Sequence, residues 1–132
     1  MGIIEGVPYD MSSAPTRINQ KISGELFYQF RDYLKDKTCE VYAAPFDIRL
    51  PKKDERDEEV DTIVQPDIVI VCDKSKLDDK GCRGNPDLVV EITSQYTAQK
   101  DIKKKFSLYE KVGVKEYWIV HPLDKTVMVF KM

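Results

Sequence analysis

The feature that most constrains this chain is one carboxylate set in an apolar run. Asp87-Leu-Val-Val-Glu-Ile-Thr93 carries Glu91 among Leu88, Val89, Val90 and Ile92. A run this rich in branched apolar residues reads as a strand covered on both faces. An ionised carboxylate there costs several kcal/mol unless it is paired, protonated or bound to a metal. Any fold adopted by the chain must therefore bring Glu91 a partner. A salt bridge to lysine or arginine would do so, and so would a metal ion.

The rest of the chain supplies the setting for such a strand. It has 132 residues, 42% of them hydrophobic and 33% charged, with a formal net charge of −2. This composition describes one globular domain over residues 1–132, not a disordered chain. No apolar stretch approaches the roughly 18 residues of a membrane span. The first residues, MGIIEGVPYDM, lack the basic and apolar regions of a signal peptide. The slight acidity means that any nucleic-acid surface is local. Cys39, Cys72 and Cys82 are odd in number and widely spaced. That pattern predicts reduced thiols in a cytoplasmic protein and no zinc site.

Residues 1–16 form an irregular or short extended lead-in, with Thr16 placed to cap a helix. Steps of three and four through Ile18, Ile22, Leu26, Phe27, Phe30, Tyr33 and Leu34 predict an amphipathic helix over 17–36. Extended structure follows from Cys39 to Leu50, with Pro45 marking a bulge or a break between two strands. PKKDERDEEVD, with three basic and six acidic residues, reads as a flexible, solvated hairpin tip. Gln65 to Cys72 is a second buried strand and 73–85 a polar loop. Asp87 to Thr93 is the third strand. A helix over Ala98 to Val112 ends at Gly113. Lys115 to Val120 and Thr126 to Phe130 are strands joined by a turn at 122–125. The predicted class is α/β, a mixed sheet with flanking helices. The chain stops directly after its last strand, as a minimal or C-terminally truncated domain would.

Asp67 opens the second strand and is the natural companion of Glu91. Alternation also puts Asp87 on the face of Glu91. Four strand steps separate those two by roughly 13 Å, too far to share a Mg²⁺ whose oxygens lie at about 2.1 Å. An adjacent strand is only about 4.8 Å away, so Asp67 is paired with Glu91 and Asp87 is left as a turn or capping residue. On the second helix, Ile102, Phe106, Leu108, Tyr109 and Val112 share one arc. Lys105 falls within it, as does Asp101. Lys103, Lys104 and Lys111 lie on the opposite side. Lys105 is thus an inward lysine, or else one paired to Asp101 at i,i+4 with its stem reaching outward. Two carboxylates and a lysine are the parts needed for metal-assisted phosphodiester hydrolysis.

At PDLVVEITS, at the Asp101-x-x-x-Lys105-x-x-x-Tyr109 spacing and at GVKEYWIVHP, the chain resembles the PD-(D/E)XK nuclease superfamily. More closely it resembles that superfamily's Uma-type restriction-endonuclease family. The resemblance runs from EGVPYDMS through APFDIRL to the end of the chain. It implies a restriction-endonuclease-like αβββαβ core and a Mg²⁺- or Mn²⁺-dependent endonuclease acting on DNA. Asp67 and Glu91 would be metal ligands and Lys105 the catalytic lysine. A homodimer would suit duplex cleavage. The chain departs from the superfamily's short motif at Thr93, where lysine is expected; Lys105 on the helix would replace it. Asn19 and His121 stand where relatives carry histidine and aspartate. His121 reads as a strand-end residue and Glu25 as a further candidate ligand. The alternative is a catalytically inactive, nuclease-like module that binds a nucleic acid or protein and keeps the acids and lysine as an ion-pair network.

Overall fold

A computed structural model describes residues 2–9, 16–93 and 98–132, with side chains described at 2–8, 16–93 and 102–132. The organising element is a five-stranded sheet. Its strands are β3 (Glu40–Ala43), β6 (Ile68–Val71), β9 (Leu88–Ile92), β10 (Glu116–His121) and β11 (Thr126–Lys131), in the spatial order β11-β10-β9-β6-β3. β9 and β10 run parallel, and the other neighbours are antiparallel. The parallel pair requires a crossover, and helix α2 (Ala98–Val112) supplies it.

Each face of this sheet is covered, as the unbroken apolar runs of β6 and β9 require. Helix α1 (Arg17–Leu34) begins at Thr16, whose hydroxyl accepts from the Asn19 amide. Its Ile22, Leu26, Phe27, Phe30 and Leu34 pack on Ile68, Ile70, Leu88, Val90 and Ile92. The opposite face carries Val69, Val71, Val89, Tyr117 and Ile119. Tyr109 of α2 packs there, together with Ile4, Ile48, Val64 and Cys82.

Those last four residues belong to a second sheet that sequence periodicity did not reveal. Its strands are β1 (Gly2–Ile4), β2 (Val7–Tyr9), β4 (Asp47–Arg49), β5 (Ile63–Val64), β7 (Leu77–Asp78) and β8 (Gly81–Arg83), ordered β2-β1-β5-β4-β8-β7. Of the two readings of Pro45, the break between two strands describes the structure: the segment is interrupted at a cis Ala44–Pro45 bond, and its halves join different sheets. The lead-in contains the β1–β2 hairpin, and the loop at 73–85 contains β7 and β8.

Two further expectations need correction. The acidic segment after Leu50 is anchored and is not a free hairpin tip. It carries a 3₁₀ turn at Asp57–Glu59. Asp57 receives Arg49 at 2.7 Å and Arg83 at 2.6 Å, and Arg83 also reaches the Glu55 carbonyl. The cysteines are not all reduced, because Cys39 and Cys72 form a disulfide. The register Glu40↔Val71 of the β3–β6 pair, carried one step outward, sets these two residues opposite each other. Cys82 is a buried free thiol, and burial pushes its pKa up to about 11. No described helix is long and apolar enough to cross a membrane.

Candidate active site

Asp67 lies immediately before β6. Pro66 has no amide to donate, and the Asp67 amide continues the ladder by donating to the Val90 carbonyl at 3.1 Å. The register Ile68↔Val90 and Val69↔Val89, extended by one residue, sets Asp67 against Glu91. Alternation then turns both carboxylates toward the face that carries Val69 and Val89. One oxygen of Asp67, Oδ2, accepts from the Ile92 amide at 2.6 Å. The side chain is thereby tied to the strand that bears its partner.

The lysine arrives from above. Lys105 is only 3% exposed, whereas Lys103, Lys104 and Lys111 are exposed. Its Nζ donates to Glu91 Oε1 at 2.7 Å. The inward reading of the helix arc therefore describes this lysine. Asp101, the alternative partner, lies outside the described side chains. Tyr109, one turn further along α2, donates from its hydroxyl to the same Oε1 at 3.4 Å. The sequence sets Tyr109 on the core arc and at the end of the Asp101-x-x-x-Lys105-x-x-x-Tyr109 spacing, with no role attached to its hydroxyl. Its i,i+4 spacing from Lys105 was the available signal for a second donor.

The electrostatics are those of two acids sharing one cation. The Asp67 carboxyl is pushed up to about 6, first by burial and further by the neighbouring Glu91 charge. The Ile92 amide and Lys105 act in the opposite direction. One ammonium therefore leaves negative charge in excess at the pair. The other candidates lie elsewhere. Asp87 Oδ1 accepts from the Cys72 amide and Oδ2 lies 3.3 Å from Lys115, the work of a capping residue. Glu25 accepts from Gln29 on the exposed side of α1 and is not brought to the pair. His121 is the last residue of β10, paired with Thr126. Thr93 extends β9, its amide donating to the Val120 carbonyl at 2.9 Å. Asn19, near the start of α1, has a buried side-chain oxygen without a described partner.

Among the described residues, no three His, Cys, Asp or Glu side chains gather as a metal cluster. The chain thus offers a pair of hard oxygen donors. Such a pair fits Mg²⁺, which keeps several of its waters and takes one or two protein carboxylates. The raised Asp67 pKa is the physical sign of the fit, since a cation between the acids would relieve both its burial and its repulsion from Glu91.

A family model described as "Uma2: Putative restriction endonuclease" matches residues 2–132. No curated protein matches the chain. Among solved structures, the chain is similar to a "putative nuclease belonging to DUF820" from Anabaena variabilis, at 20% identity and a TM-score of 0.76. The alignment covers 98% of this chain and 70% of that one. At that identity the likeness establishes the nuclease-like mixed α/β fold.

Proposed function

The chain belongs to the Uma2 family of nucleases, and from that premise we propose that it is a Mg²⁺- or Mn²⁺-dependent endonuclease hydrolysing phosphodiester bonds in DNA. The observation that carries this reading is the juxtaposition of Asp67, Glu91 and a buried Lys105 on one sheet face. Asp67 and Glu91 would hold the divalent ion. When bound, it would lower the pKa of a water and neutralise phosphate charge. Lys105 would release part of its contact with Glu91 and donate to a non-bridging phosphate oxygen, offsetting the charge that builds as water attacks phosphorus. The phosphorus–oxygen bond to the leaving sugar would then break, the attacking water losing its proton to solvent water and the leaving oxygen taking one from solvent water. The preformed contacts of the three side chains favour this role, because groups already in place cost little to organise during reaction. A homodimer would present two such sites to the two strands of a duplex, and sedimentation with and without duplex DNA measures it.

Replacing Glu91 with Gln tests the proposal. The variant should keep the wild-type circular dichroism spectrum, lose Mn²⁺ binding in calorimetry and lose Mg²⁺-dependent cleavage of duplex DNA. Wild-type protein that neither binds Mn²⁺ nor cuts duplex DNA, single-stranded DNA or RNA would overturn the enzyme reading. A second reading, an inactive nuclease-like binding module, is favoured by the 2.7 Å Glu91–Lys105 contact, which neutralises the acid without a metal. Under that reading Mn²⁺ leaves the melting temperature unchanged.

A further inference from the structure

Glu91 receives two donors on one oxygen. Lys105 Nζ and Tyr109 Oη lie at 2.7 and 3.4 Å from Oε1, and the two residues are one helical turn apart on α2. Tyr109 is fully buried, and its ring stands edge-on to Tyr117 of β10 at 5.0 Å between centroids. The ring is thus fixed from a strand adjacent to β9, and the direction of its hydroxyl is fixed with it. Glu91 Oε2 has no such contact among the described residues.

Lys105 has two claims on it. It neutralises Glu91 at rest, and in the proposed reaction it serves the phosphate. Whenever the ammonium moves toward the phosphate, Glu91 loses its strongest donor while remaining in a largely buried place. We propose that Tyr109 is a positioning residue for the metal-binding carboxylate. Its hydroxyl keeps Oε1 engaged when Lys105 turns to the substrate, so that Oε2 would remain available to a divalent ion held together with Asp67. This inference rests on the nuclease reading above and adds a division of labour to it. Both α2 donors hold one oxygen of Glu91 and leave the other for metal. Groups that orient a ligand from behind in this way commonly change metal affinity by tenfold or more when removed.

The test uses Tyr109→Phe in the full chain, which keeps the ring and its contact with Tyr117 and removes only the hydroxyl. Calorimetry with Mn²⁺ alone should show affinity weakened roughly tenfold, with the melting temperature of the metal-free protein close to wild type. Cleavage should show kcat falling and KM for DNA unchanged. Wild-type binding of Mn²⁺ with equal affinity in Tyr109→Phe would overturn the Tyr109 role and leave the metal site standing. A loss of Mn²⁺ affinity accompanied by a lowered melting temperature of the metal-free protein would show that the hydroxyl acts through the fold, and would also overturn it. Absence of Mn²⁺ binding by the wild type would remove the metal site itself, and this inference with it.

Discussion

Lys105 and Glu91 pose the sharpest question at the scale of single residues, because each is costly to bury without the other. Lys105→Met keeps the apolar stem and removes the charge. Glu91 would then retain Tyr109 and its limited exposure. A stability loss of about 1–3 kcal/mol is expected in urea denaturation. Combining Lys105→Met with Glu91→Gln should recover much of it, since an uncharged pair leaves no lone charge behind. Losses that simply add in the double variant would show that the pair does not interact in solution. Asp67 sets a pH dependence with a definite sign. Its folded pKa of about 6 lies above the ordinary 3.8. Between those values the folded chain holds a proton that the unfolded chain has released. The Asp67 contribution to the stability of the metal-free protein should therefore be fully present below about pH 4. It should fall as pH rises to 6, by up to about 3 kcal/mol, and then level off. Asp67→Asn should flatten that decline, and denaturation curves in EDTA from pH 4 to 8 measure it.

At the scale of elements, the short strands depend on fixed side chains. Arg49 is 4% exposed and bridges Asp57 and Asp78, so one residue of β4 ties down both the acidic segment and the β7–β8 hairpin. Arg49→Met should cost about 1.5–3 kcal/mol. It should also speed hydrogen exchange across 51–61 while leaving the amides of β9 protected, because that core does not involve Arg49. Uniform loss of protection would show that the second sheet does not open separately. This dependence also explains what the sequence did and did not reveal. α2 was legible from its helical period, and β9, β10 and β11 from runs of branched and aromatic residues long enough to stand out. α2 was expected over the residues it occupies, 98–112. The second sheet was not legible, because strands of two or three residues carry no alternation to detect. They exist through pairing partners distant in the chain and through Arg49, whose burial nothing local announces. Glu91 and Lys105 were legible as violations, charges placed where the pattern demanded apolar residues. Tyr109 violated nothing. An aromatic on a core arc looks like packing, and only the three-dimensional contact shows its hydroxyl at work.

At the scale of the molecule, the two halves of the five-stranded sheet are secured differently. β9, β10 and β11 follow one another around α2, whereas β3 comes from between α1 and β4 and docks on β6 as an edge strand. The Cys39–Cys72 bond closes that edge across a sequence separation of 33, linking the residue before β3 to the residue after β6. A cross-link of that span should stabilise by about 3–4 kcal/mol, chiefly by restricting the unfolded chain. The paired replacement Cys39→Ser with Cys72→Ser should lower the denaturation midpoint accordingly. A reductant should bring the wild type down to the same value and leave the double variant unmoved. Asp67 and Cys72 sit at opposite ends of β6, roughly 16 Å apart along an extended strand. Mn²⁺ affinity should therefore remain within about twofold of wild type in the folded double variant, since sites so far apart without shared partners behave independently. A wild type indifferent to reductant would mean that the bond does not form in solution, leaving β3 held by its backbone ladder and side-chain packing. A large loss of metal affinity on cutting the bond would mean instead that the β3 edge governs the position of Asp67. The Ala44 amide, which donates to the Asp67 carbonyl at 2.9 Å, would be the physical link between them.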